Sequence, residues 1–133
     1  MNNKKLTARR YLERIQEFDI YINQDLERLE EMKINACSTG DTLCKQVTNY
    51  VAFYDKINAE IDSFADAKEQ IIKEIRGLRN KNYVQVLYKV YVQHKTVKQA
   101  SKEMKKSYNY TVELHNKALA AFEETYTNLT YRI

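Results

Sequence analysis

Between Val47 and Leu78, apolar side chains return at a mean spacing of 3.5 residues for five heptads. One column reads Val47, Tyr54, Ile61, Lys68 and Ile75. The other reads Tyr50, Ile57, Phe64, Ile71 and Leu78, so nine of ten positions are apolar and only Lys68 departs. A seam of this period belongs to a long helix and demands a partner along its length. The segment, about 38 residues, spans roughly 57 Å at 1.5 Å per residue. Turn formers are scarce: the 133 residues hold no proline and two glycines. That excludes an all-β chain built on tight turns. The expected fold class is all-α.

A first helix, from about Lys4 to Met32, carries Leu12, Ile15, Ile22, Leu26 and Leu29 on two heptad columns. Phe18 and Met32 widen this stripe and Asp19 interrupts it. The stretch Asn35 to Asp41 breaks the pattern; Gly40 supplies turn freedom, and Asp41 or Thr42 can cap the next helix. The first helix, of about 29 residues, is too short to cover the second. Apolar surface from Phe64 to Leu78 is therefore left for the following domain or for another subunit. The reading is an antiparallel coiled-coil hairpin over residues 1–80 that also forms a homodimer. Its oligomerisation seam is Tyr54, Ile57, Ile61, Phe64, Ile71, Ile75 and Leu78, with an intramolecular bundle as the alternative. Gly77, ahead of Leu78-Arg79-Asn80-Lys81-Asn82, marks a helix end and a hinge.

Charge divides the chain sharply. Residues 76–120 carry 10 basic and 2 acidic side chains, whereas residues 1–75 carry 11 and 14. A balance of +8 over one small module attracts a polyanion, nucleic acid being the common case. Within that module Tyr83, Val86, Leu87, Val90 and Tyr91 mark a helix ended by His94-Lys95. Thr96 and Gln99 then have the spacing of a capping box. A short helix follows with Val97, Ala100, Ser101 and Met104 inward. Lys105-Lys106 forms a turn, and Ser107 caps a longer helix that buries Thr111, Leu114, Ala118 and Phe122. This is the helix-turn-helix layout, with small Ser101 at the crossing. Such a turn takes a left-handed residue at Lys105, where only glycine is free of strain.

The layout assigns roles. The second helix enters the major groove by its N-terminal turns. Tyr108, Asn109, Tyr110, Val112, Glu113, Asn116 and Lys117 are then the base-contacting candidates: Asn109 suits adenine, Glu113 cytosine N4 and Val112 a thymine methyl. Lys95, Thr96, Lys98, Lys102, Lys105, Lys106 and Ser107 are the phosphate candidates. The expected partner is double-stranded DNA, read by a domain of residues 81–133.

Other chemistries lack residues. There is no paired carboxylate, Gly-rich phosphate loop or neighbouring Cys and His, so no catalytic residue and no cofactor is expected. Cys37 and Cys44 lie seven apart and far along the chain from His94 and His115, which gives no metal site. The longest uncharged run, Gln46 to Tyr54, is nine residues, far below a bilayer span. The opening MNNKKLTARRYLERIQ is no secretory signal. The expected location is the cytoplasm, with no membrane partner.

The run from Tyr83 to Glu124 resembles region four of bacterial sigma factors. It is most similar to a family of small phage and prophage proteins of Gram-positive bacteria, akin to the ArpU-type phage transcriptional regulators. The likeness rests on Val86-Leu87-Tyr88, Tyr91-Val92, Lys95-Thr96, Met104, Ser107, Leu114-His115 and Ala118-Leu119. Residues 11–32 and 56–75 resemble the family's two opening helices. The resemblance implies a phage regulator of transcription in a bacterial host, with RNA polymerase a candidate second partner. The alternatives are a small terminase-like packaging protein and, from another class, an adaptor whose basic module binds an acidic protein.

Overall fold

The computed structural model of the chain describes residues 3–5, 7–37, 43–127 and 130–132; no side chain is described for residues 3–5, 35–37, 43–49 and 130–132. The fold is all-α. Helices α1 (Ala8–Cys37) and α2 (Leu43–Arg76) are followed by α3 (Lys81–Leu87), which runs on into a π-helical turn at Tyr88–Val92. Then come α4 (Val97–Glu103) and α5 (Tyr108–Thr125). Two three-residue strands, β1 (Asn3–Lys5) and β2 (Thr130–Arg132), pair antiparallel with Lys4 opposite Tyr131. The expected turn at Gly40 and cap at Asp41 or Thr42 lie outside the described residues.

Helix α1 starts later than its apolar stripe suggests. Lys4 and Lys5 belong to β1, and Thr7 opens the helix: its Oγ1 accepts from Arg10 N at 3.3 Å and its carbonyl from Tyr11 N at 3.0 Å. A threonine cap satisfies donors that the first turn leaves unpaired. At the other end α2 stops at Arg76, and Gly77 N bonds back to Lys73 O at 3.0 Å. Gly77 has no left-handed backbone; its use is close approach. A Cβ there would collide with Tyr126 Oη, which donates to Glu74 O at 2.7 Å.

The chain packs as two compact units, residues 17–68 and residues 1–16 with 69–133. This division differs from the boundary at residue 80 read from the sequence: the start of α1 and the end of α2 belong with the helix-turn-helix.

Residues 17–68 form a helical hairpin. Phe64 packs on Phe18 at 6.0 Å and on Tyr21 at 5.4 Å between ring centroids. Leu29 and Ile57 are buried. Lys68, the one polar residue of the α2 seam, pairs at 2.8 Å with Asp19, the one polar interruption of the first stripe. The two exceptions in the pattern thus answer each other across the hairpin. The stripe itself needs a correction. Leu26 is 51% exposed, and Asp25 takes the inward position, 3% exposed. Its Oδ1 meets Arg28 at 3.2 Å while its buried Oδ2 has no partner. The inward face follows Phe18, Ile22, Asp25 and Leu29, the 4-3-4 row adjacent to the expected one.

The second unit buries Ala8, Tyr11, Leu12 and Ile15 from α1, and Ile71, Ile72, Ile75 and Leu78 from the end of α2 and the residues after it. It also buries Val86, Leu87, Tyr91, Ala100, Leu114, Ala118 and Phe122. The Tyr11 ring lies 5.8 Å from that of Phe122, and Tyr11 Oη donates to the Glu74 carboxylate. Burial pushes the Glu74 carboxyl above its usual range. The oligomerisation seam is accordingly spent within one chain. Ile57, Ile71, Ile75 and Leu78 are buried, Ile61 and Phe64 are half-buried, and Tyr54 alone stands 44% exposed. Of the two covers open to the surface from Phe64 to Leu78, the chain's own following domain takes Ile71, Ile75 and Leu78.

Candidate nucleic-acid interface

Each element of the helix-turn-helix is ended by side chains placed for it. Asn80 Oδ1 accepts from Asn82 N at 2.9 Å and caps α3. After the π-helical turn, His94 takes a left-handed backbone at φ 57°. Thr96 and Gln99 close the capping box reciprocally: Gln99 N donates to Thr96 Oγ1 at 3.1 Å, and Thr96 N to Gln99 Oε1 at 2.9 Å. The end of α4 is a Schellman turn. Lys106 N donates to Ser101 O at 2.9 Å and Lys105 N to Lys102 O at 3.2 Å, with Lys105 at φ 57°. The expected left-handed position is therefore real and is held by lysine, a strain of about 1 kcal/mol. Ser107 Oγ accepts from Tyr110 N at 3.1 Å to start α5. Ser101, buried at the α4–α5 crossing, donates its hydroxyl to Lys98 O at 2.6 Å.

This local chemistry aims α5. Thr111, Leu114, His115, Ala118 and Phe122 face inward. Tyr108 and Tyr110 are 54% and 45% exposed; Asn109, Glu113, Asn116 and Lys117 are exposed too, and Val112 is half-buried. The seven base-contacting candidates thus lie along the outer side of one helix. Tyr108 borders a depression of about 580 Å³ that it shares with Thr96, Val97 and Lys98 at the start of α4. Tyr110, Glu113 and Lys117 line a smaller one of about 140 Å³ with Asn80, Asn82 and Tyr83. The Lys106 ammonium lies over the Tyr110 ring at 5.6 Å.

Among the phosphate candidates, Thr96, Lys98, Lys102, Lys105, Lys106 and Ser107 are exposed. Lys95 is differently placed. Its Nζ is 2.6 Å from Glu103, which also holds Lys89 at 2.7 Å. The hydrogen bonds from Lys89 and Lys95 keep the Glu103 carboxyl below its usual range. Two cations thereby share one carboxylate.

Folding concentrates charge beyond what the linear blocks suggest. The unit of residues 1–16 and 69–133 holds 17 basic and 7 acidic side chains, a balance of +10. The hairpin unit holds 5 and 11, a balance of −6. The increase comes from Lys4, Lys5, Arg9, Arg10 and Arg14, which the sequence places in an acidic half. Their only signal there is local: Arg9 and Arg10 occupy outward positions of a stripe whose inward ones are Ala8, Tyr11, Leu12 and Ile15.

His115 is 4% exposed, and its Nε2 lies 2.8 Å from Tyr91 Oη. Burial, with the nearby Arg9 guanidinium, holds the imidazole below its ordinary pKa, while Asn116 opposes that shift. Burial likewise raises the Tyr91 phenol, against Arg9; Glu13 adds to the rise. The sign of the pH effect follows. Below about 6.5 the unfolded chain takes up a proton that the folded His115 resists, so stability rises with pH across that window. Melting temperature should therefore fall as pH drops from about 7 to 5, and His115→Gln, which cannot titrate, should flatten the fall. An unchanged slope in that variant counts against a buried neutral histidine.

Among the described residues no three His, Cys, Asp or Glu side chains gather to hold a metal ion, and no helix is long and apolar enough to cross a membrane. Comparison with protein-family models, curated proteins and solved structures finds no match to this chain.

Proposed function

We propose that this protein binds double-stranded DNA by setting α5 in the major groove, and that it regulates transcription. The observation that supports this reading most directly is the α4–turn–α5 arrangement, mounted on a unit of balance +10 with the outer side of α5 exposed. A small domain with that surplus attracts phosphates from either strand. The exposed Asn109, Glu113 and Asn116 are the hydrogen-bonding groups suited to base edges. The resemblance to sigma region four supplies the narrower part of the proposal: a phage or prophage regulator acting in the bacterial cytoplasm, with RNA polymerase as second partner. A homodimer is part of it. Exposed Tyr21, Leu26, Val51 and Tyr54 offer its contact surface on the hairpin unit.

The test is binding to double-stranded DNA from the protein's own upstream region across a salt series. With about six phosphate contacts, log affinity should fall against log salt with a slope near −5. Tyr108→Ala, Asn109→Ala and Lys117→Ala should weaken binding to that sequence more than to random duplex. A flat salt response overturns the reading and leaves the adaptor. Solution mass separates the other two roles: a dimer of the 15.8 kDa chain fits the regulator, a ring of many copies the terminase-like protein.

A further inference from the structure

One flank of α5 runs through Tyr108, Val112, His115, Leu119 and Phe122, residues three and four apart that lie one above another. Different parts of the chain meet this flank in order. The start of α4, with Lys98, shares the depression at Tyr108. Tyr91 meets His115 at 2.8 Å, and Tyr11 of α1 meets Phe122 at 5.8 Å between rings. The first turn of α1 is thus seated beside the C-terminal half of α5. It is anchored there by Ala8, Tyr11 and Leu12, at most 9% exposed.

Within that anchored turn Arg10 is exposed, and so is Arg9. The Arg9 guanidinium hydrogen-bonds the Tyr91 phenol, with Glu13 also nearby, and acts on His115 electrostatically. No carboxylate forms an ion pair with Arg9 among the described residues. Asn116, next to His115, is exposed on the outer side of α5. A guanidinium has N–H donors to spare beyond one phenol, and at the rim of a helix that offers polar groups to base edges it has the chemistry of a phosphate contact.

We propose that Arg9 binds the phosphodiester backbone of duplex DNA, continuing along the flank of α5 the phosphate contacts that Lys98 begins at its N-terminus. The proposal rests on the DNA reading above and adds to it a contact from the opposite end of the chain. From Tyr108 to His115 is seven residues, about 10 Å along the helix axis, too far for two cations to share one phosphate. Lys98 and Arg9 are therefore spaced for different phosphates. Arg9 carries no base information in this role. It sets the depth and tilt of α5 in the groove, and it ties the first turn of α1 to the bound state.

The experiment compares the full chain with Arg9→Gln and Arg9→Lys, measuring affinity for the same duplex across a salt series well below the melting temperature. Loss of one phosphate contact should make the log–log slope shallower by about 0.9 and weaken binding to specific and random duplex alike. Arg9→Lys, which keeps the charge, should keep the slope. A purely structural Arg9, one that only steadies Tyr91 and His115, would lower the melting temperature in Arg9→Gln and leave the slope of the folded protein unchanged. That outcome overturns the inference while the salt-dependent binding of the parent chain still stands. A parent chain with no salt-dependent binding overturns both.

Discussion

Residues 81–133, expressed alone, should give no cooperative thermal transition and little fixed helix, although they hold the whole helix-turn-helix. The reason is where their core comes from. Leu12, Ile15, Ile71, Ile72, Ile75 and Leu78 are each at most 7% exposed and all lie outside that fragment. Burying one such side chain contributes about 1.5–3 kcal/mol. Six together amount to roughly 9–18 kcal/mol, comparable with the whole stability of a small domain, about 5–15 kcal/mol. Without them Phe122, Val86 and Leu87, all fully buried in the intact chain, would face water on one side. The isolated helices cannot compensate: α3 and α4 have seven residues each, well under the length at which helices persist alone. Calorimetry and far-UV circular dichroism on the fragment and the full chain decide it. A fragment that melts sharply near the temperature of the full chain would show that the first turns of α1 merely decorate the unit.

That result bears on what the sequence can and cannot announce. Spacing tells which side of a helix is buried, but not which segment buries it. The five-heptad column of α2 was legible, yet its lower part, Ile71, Ile75 and Leu78, meets the basic unit of its own chain. The same ambiguity explains Leu26 and Asp25. Adjacent helical rows both suit a stripe, and hydrophobicity favours the row with leucine; the packing of Phe18 on Phe64 belongs to the other. Local signals fared better because their physics is local. Thr96 with Gln99, Ser107, and the left-handed site at Lys105 are set by backbone donors and dihedrals within four residues, and each sits where its chemistry requires. Charge lies between these cases. The surplus of lysines was visible, whereas the partnership of Lys95 with Glu103 and the arrival of Arg9 beside His115 depend on tertiary contacts that no run of residues displays.

Replacing Lys98, Lys102 and Lys106 by glutamine should cost the largest factor in DNA affinity of any surface change here. All three are exposed, and none is in an ion pair among the described residues. If each meets a phosphate, the salt slope becomes shallower by about 2.7, which at about 0.15 M salt is on the order of 10²-fold weaker binding. Stability should hardly move, since exposed charges contribute little to it. Glu103→Gln is the counter-experiment. It removes one negative charge and frees Lys95 at the threshold of α4, so the slope should steepen by about 0.9 for one added contact. The two changes act on the same few turns with opposite sign. Both changes should act on all duplexes alike, with the preference among sequences left to Asn109, Glu113 and Asn116. If the triple variant keeps both affinity and slope, the turn between α4 and α5 does not face a phosphate backbone, and α5 cannot be lying in the groove as assigned.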